Sequence, residues 1–326
     1  MTSTLPVDRL DGGARTQRAA GVAADLRARM AQGVLSFPLT AFTADGELDL
    51  DGTRGHVRAQ VAAGPAAIFP ACGTGEFFSL SLAEYESVVR VAVEEAGGLP
   101  VVSGVGYGWA QAVQFAEAAV RAGASAGLLL PHYLVAASQE GLARQVEEVA
   151  ARTELPLIVY QRGQVKFSAR TLARIAGSPT VIGVKDGHSD LDQLQRLRLV
   201  APPDLLFFNG AATAEMQARA YRAIGIPAYS SAVHAFAPEI ARAFYAALHA
   251  DDDATIDRLL REFYWPLVEL RDRGTGYAVS LVKAAARLRG QSVGPVRAPL
   301  TDPTDAETRE LQALLTTGLR IVGEPS

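Results

Sequence analysis

The chain is 326 residues long, with 49% hydrophobic and 20% charged residues and a formal net charge of −4. This composition excludes a disordered or collagen-like chain and leaves enough apolar residues for a large core. The slight acidic excess argues against a nucleic-acid partner or a membrane-surface role, both usually served by basic residues, and no apolar run reaches the ~20 residues that span a bilayer.

Residues 1–32 read as an N-terminal tail and a short helix, roughly Thr16–Ala31. Asp8, Asp11 and Asp25, and the lack of a continuous apolar stretch, argue against an export or transit peptide. The single cysteine, Cys72, excludes an internal disulfide and cannot alone make a thiolate zinc site; it fits a reducing cytoplasm.

Residues 33–250 repeat one unit eight times. The short apolar runs Val34–Phe37, Ala66–Ala71, Val101–Val105, Gly127–Leu130, Leu157–Tyr160, Val181–Lys185, Leu205–Phe208 and Ala228–Ser231 have the length of buried strands. Runs apolar on both faces suit a parallel sheet covered by helices. Between them lie helical patterns with their own punctuation. Ser81 and Glu84 make a capping box ahead of Ala83–Ala96, Gly123 closes Ala110–Ala122, and Ser138 opens the helix to Arg152. Eight βα units close into a (β/α)8 TIM barrel. An open doubly wound sheet is the rival, but no G-x-G-x-x-G joins a first strand to its helix. Residues 251–326 are helical only (Ala254–Asp272, Tyr277–Gly290, Thr304–Leu319) and read as a C-terminal helical appendage without chemistry of its own.

A barrel of this kind carries its chemistry where strands run out into loops. Lys185 ends strand six after Val-Ile-Gly-Val. Partial desolvation lowers a lysine's pKa, and a neutral amine can form a Schiff base; pairing with Asp186 or snorkelling into the barrel mouth is the plainer alternative. Tyr160 ends strand five, where its hydroxyl can relay protons, or where its ring simply fills core. The Gly73-Thr74-Gly75-Glu76 loop offers backbone amides for a carboxylate at the start of a helix, or is merely a tight turn with Glu76 as a helix N-terminal charge. Asn209, Ser230 and Ser231 at the ends of strands seven and eight are candidate hydrogen-bond donors to substrate. Cys72 reads as a small buried residue. None of the five histidines forms an H-x-H or H-E-x-x-H pattern; His132 and His188 fall on catalytic-face loops, yet no metal site is expected.

Together, Gly73-Thr74-Gly75-Glu76, Tyr160, Gly183-Val184-Lys185-Asp186 and Ser138-Gln139-Glu140-Gly141 resemble the dihydrodipicolinate synthase/N-acetylneuraminate lyase family, from roughly Val34 to Gly290. The resemblance implies that Lys185 forms the imine, that Tyr160 donates and accepts protons, and that Thr74 and its loop hold a keto acid's carboxylate. It also implies that Tyr133 reaches a neighbouring subunit's site, within a homotetramer built as a dimer of dimers. Two departures stand out. Gly73 occupies a position that commonly carries a hydroxyl, and Val165 stands where dihydrodipicolinate synthases place a carboxylate-binding arginine, leaving Arg162 or Lys166 for any different carboxylate.

Phe69 to Leu80, Gly33 to Thr40 and Ala228 to Ala232 look like the family branch that dehydrates and decarboxylates a keto-sugar diacid, with no metal or organic cofactor. Rival readings are a Schiff-base 2-keto acid aldolase, a metal-dependent lyase, and a ligand-binding or regulatory barrel that has lost catalysis.

Overall fold

A computed structural model describes residues 12–324. The ring of strands comprises β1 (Leu35–Ser36), β2 (Ala67–Ile68), β3 (Val102–Val105), β4 (Ala126–Leu129), β5 (Leu157–Gln161), β6 (Val181–Asp186), β7 (Leu206–Asn209) and β8 (Ser230–Ser231). Parallel pairing runs in two arcs, β2-β1-β8 and β3-β4-β5-β6-β7. Single parallel bridges, Ile68 to Val101 and Asn209 to Tyr229, join the arcs into a closed barrel. Each strand is followed in turn by a helix: α2 (Leu50–Ala62), α3 (Leu82–Glu95), α4 (Trp109–Ala122), α5 (Gln139–Arg152), α6 (Ala169–Ile175), α7 (Leu191–Val200), α8 (Ala218–Ala223) and α9 (Pro238–His249).

Local chemistry sets the boundaries. Ser81 and Glu84 close a reciprocal capping box at α3, and Ser138 accepts the Gly141 amide at α5. Gly123 ends α4 in the left-handed region at φ 91°. The β2 ladder stops short of the apolar run that contains it. Pro70 has no N–H to contribute, and Ala71 turns the chain with φ 47°.

Ahead of the barrel, α1 (Gly12–Met30) starts earlier than the sequence pattern suggests. Its Ala19, Ala23, Leu26 and Met30 share one helical face and are buried in the same core as Phe37, Val102 and Val184. Most of the expected N-terminal tail, residues 1–11, lies outside the described residues.

After the barrel, α10 (Asp253–Leu259) continues through a π-helical turn at Leu260–Tyr264 into α11 (Trp265–Arg271). The wide turn ends two residues before Pro266, whose missing N–H would leave an α-helical carbonyl without its donor. Helices α12 (Tyr277–Leu288) and α13 (Asp305–Ile321) complete the chain. Leu259, Phe263, Leu281, Leu311 and Leu315 from these helices share a core with Val34, Phe236, Ile240 and Phe244 of the barrel. Among the described residues, no helix is long and apolar enough to cross a membrane.

Candidate active site

Strand pleating decides which residues meet inside the barrel. Tyr160, Lys185 and Phe208 are paired across β5, β6 and β7, so their side chains share one face. Gln161, Asp186 and Asn209 are paired one residue further on and share the opposite face. The first set points into the barrel. There Phe37 stacks on Phe69 with ring centroids 4.6 Å apart, and Phe69 meets Phe208 edge-on at 5.7 Å.

The Lys185 amine sits on this aromatic floor, 4.0 Å from the Phe37 ring centroid and 4.5 Å from that of Tyr160. The residue is only 6% exposed and has no carboxylate partner among the described residues. Burial is the main cause that lowers its pKa to about 7, with the Arg162 guanidinium acting in the same direction. Burial pushes the nearby Cys72 thiol up to about 12, so it stays neutral and provides no counter-ion. The alternative pairing of Lys185 with Asp186 does not occur. Asp186 faces the outer side, where it accepts Gln161 Nε2 at 2.5 Å, the Ser189 amide at 2.9 Å and the Tyr221 hydroxyl. Gly210 makes room for the lysine: a Cβ there would lie 2.4 Å from Lys185 Cε.

The Tyr160 hydroxyl donates to the Gly210 carbonyl at 3.1 Å and accepts from Arg162 Nη1 at 3.2 Å. Burial raises the phenol's pKa, and the guanidinium opposes the rise. The two cations left open by the sequence are thereby separated. Lys166 is spent on Asp190 at 2.7 Å, whereas Arg162 has no carboxylate partner among the described residues. Val165 is buried in the core.

The Gly73–Glu76 loop differs from the expectation of a helix start. It is a turn followed by a 3-10 segment, Phe77–Ser79, and α3 begins only at Leu82. The Glu76 and Phe77 amides are used inside the turn, on Gly73 O and Cys72 O. Among the described residues, the amides of Gly73, Thr74 and Gly75 and the Thr74 hydroxyl have no partner. Glu76 is not an exposed helix charge. It is 1% exposed and lies 2.7 Å from the Lys283 amine of α12. That contact ties the C-terminal helical region to the loop after β2.

Two further expectations yield to the pleat. Asn209 does not face the barrel mouth; its side chain donates to Ala214 O at 3.1 Å and accepts the Ala211 amide at 2.9 Å, closing the loop after β7. Ser231 pairs in register with Ser36, and its hydroxyl donates to Glu215 Oε1 at 2.5 Å in a buried network. Ser230, on the other face, donates to Asn209 O at 3.2 Å and stays close to the interior. Tyr133 lies away from this cluster, 73% exposed beside exposed Leu134 and Val135 on the loop after β4. The ring nitrogens of His132 and His188 meet the carbonyls of Val135 and Val165. No group of three or more His, Cys, Asp or Glu is arranged to hold a metal among the described residues.

Glu215 escaped sequence reading because nothing in its local pattern marks it as buried. One oxygen takes the Ser231 hydroxyl; among the described residues the other has no partner, and neither have the nearby phenols of Tyr229 and Tyr264. Burial raises its pKa to about 7. The folded chain therefore holds a proton that the unfolded chain releases near pH ~4.3. This group's contribution to stability declines as pH rises from there to about 7. Glu215→Gln is expected to gain about 3 kcal/mol over wild type at pH 8 and almost nothing at pH 4. His56 and His234, lowered by burial to about 4 and about 3, act in the opposite sense and are common to both proteins. Thermal unfolding of the pair at both pH values checks this; equal gains at both would reject a buried neutral carboxyl.

Comparisons with known proteins follow the same outline. A family model described as the Dihydrodipicolinate synthetase family matches residues 30–317. The chain is 67% identical over 305 residues to a Streptomyces avermitilis protein named probable 5-dehydro-4-deoxyglucarate dehydratase 2, covering 93% of this chain and 92% of the relative. It is 42% identical over 293 residues to the 5-dehydro-4-deoxyglucarate dehydratase of Pseudomonas putida, covering 89% of this chain and 97% of that one. Among solved structures, the dihydrodipicolinate synthase of Bacillus clausii superimposes with a TM-score of 0.81 at 27% identity, over 90% of this chain and 98% of that one.

Proposed function

The chain belongs to the dihydrodipicolinate synthetase family, and from that premise and the geometry of its site we propose that it is a decarboxylating 5-dehydro-4-deoxyglucarate dehydratase. The observation that carries this reading is Lys185: a buried amine without a counter-ion, beside a phenol, at the carboxyl end of a barrel strand. The neutral amine attacks the substrate's ketone carbon and loses water to give an imine, whose protonated form is an electron sink.

The adjacent CH2 then gives up a proton and an enamine forms. Its electrons expel the hydroxyl of the next carbon as water, with Tyr160 as the acid. The distal carboxylate leaves as carbon dioxide, and its bonding pair runs through the new double bond into the same iminium. Protonation and hydrolysis return Lys185 and consume the water released at the start. The balance is one 5-dehydro-4-deoxyglucarate to one 2,5-dioxopentanoate, one water and one carbon dioxide.

The free amides of Gly73, Thr74 and Gly75 suit the carboxylate beside the ketone. Arg162, beside the Tyr160 hydroxyl and without a carboxylate partner among the described residues, suits the distal carboxylate. Ser230 remains available to a substrate hydroxyl, and Asn209 and Ser231 hold the loops around it. The exposed Tyr133-Leu134-Val135 tip favours a homotetramer in which Tyr133 serves a neighbouring site. A single cysteine, buried as a thiol, agrees with a cytoplasmic protein.

Incubating the protein with 5-dehydro-4-deoxyglucarate tests the reading. Equimolar carbon dioxide and 2,5-dioxopentanoate are expected; pyruvate release instead would assign an aldolase.

A further inference from the structure

Glu76 follows the Gly73–Gly75 turn with its backbone in the left-handed region, φ 56° and ψ 39°, which a side-chain-bearing residue seldom adopts unless its surroundings impose it. Its carboxylate is held from the far side of the molecule. One oxygen meets Lys283 Nζ at 2.7 Å and the other accepts the Arg297 amide at 3.0 Å. Lys283 is 0% exposed, and its amine lies 4.1 Å from the Phe42 ring centroid, a ring the Arg297 guanidinium also covers at 4.1 Å. Arg297 continues to Ser79 O at 2.9 Å and Gly46 O at 2.7 Å. The turn is tied from the loop after β1 as well, by the Thr40 hydroxyl donating to Gly75 O at 2.7 Å. A Cβ on Gly75 would lie 3.0 Å from both Ala71 N and Pro38 O, so only glycine lets the turn pack this closely against those two segments. With Glu76 and the Gly75 carbonyl drawn back into protein, the three free amides are left as the turn's unfilled donors.

We propose that Lys283 is a positioning residue: through its buried contact with Glu76, the C-terminal helical region sets the conformation of the Gly73–Gly75 turn and so the recognition of the carboxylate beside the substrate's ketone. This rests on the reading of Lys185 as an imine-forming lysine and of that turn as a carboxylate site. Without Lys283 the buried Glu76 carboxylate loses its direct ion pair and its tie to α12, keeping only the Arg297 amide and the more distant guanidinium, so the conformation of the turn is no longer fixed from that side. The lysine chemistry itself is untouched, because Lys283 does not contact Lys185.

The test measures borohydride trapping on Lys185 with two ketones, pyruvate, which has a carboxylate, and hydroxyacetone, which has none. Lys283→Met is expected to raise the half-saturating pyruvate concentration at least tenfold while leaving the maximal trapping rate and the hydroxyacetone reaction within about twofold of wild type. Lys283→Met combined with Glu76→Gln removes the unpaired charge and keeps the experiment open if the single variant does not fold; because the tie between α12 and the turn is missing in both, it is expected to show the same selective loss. A folded variant with wild-type pyruvate saturation, or one that loses both ketones equally, overturns the proposal. Failure of the wild-type protein to trap pyruvate at all would instead overturn the imine reading on which it rests.

Discussion

Lys185→Ala loses turnover of 5-dehydro-4-deoxyglucarate by a factor on the order of 10^4 or more, the scale seen when a covalent nucleophile is removed. No other group replaces it. The site's remaining cation, Arg162, is a guanidinium that stays protonated and cannot attack a carbonyl. The fold should tolerate the change, because the amine's burial opposes folding and its removal offsets the small cavity left among Phe37, Tyr160 and Phe208. Mass spectrometry after borohydride reduction with pyruvate should find an adduct on wild type and none on the variant. In wild type, the trapping rate should rise with pH and level off above about 7, where the amine has lost its proton. Activity in Lys185→Ala within tenfold of wild type would remove the imine from the mechanism.

Tyr160→Phe should lower turnover by about 10^2 to 10^4, the usual worth of a positioned acid–base group. The ring that lies over the Lys185 amine is kept. Only the hydroxyl is lost, and with it the contacts to Gly210 O and Arg162. Imine formation should therefore survive, slowed, while water elimination from the enamine suffers most. Single-turnover kinetics can separate the two steps. A variant that eliminates water at the wild-type rate would show that another group supplies the proton.

Much of this was legible from local pattern. The eight apolar runs, the capping signals at Ser81 and Ser138 and the terminal glycine at Gly123 are short-range features, and each marks an element found in the fold. The apolar run before Lys185 left pairing with Asp186 or snorkelling open as well; the resemblance carried by Gly183-Val184-Lys185-Asp186, Tyr160 and the Gly73–Glu76 loop is what singled out its amine. Lys283 also lies in an apolar run, alone in Leu281-Val282-Lys283-Ala284-Ala285-Ala286, but on a helix outside the barrel it did not point to the site. The errors at Asn209 and Ser231 share one cause. Position at a strand end was used without the two-residue alternation that turns neighbouring side chains to opposite faces.

Composition, repeat length and turn chemistry thus determined the barrel and the place of Lys185 at a strand end, because these depend on hydrophobic period and on residues adjacent in the chain. The partners of buried charges were decided by tertiary structure alone. Glu76 meets Lys283, Ser231 meets Glu215, and Arg162 rather than Lys166 is left free. A charge taken out of water is satisfied by whatever lies within a few ångströms, and only the closed fold brings residues 76 and 283 that near.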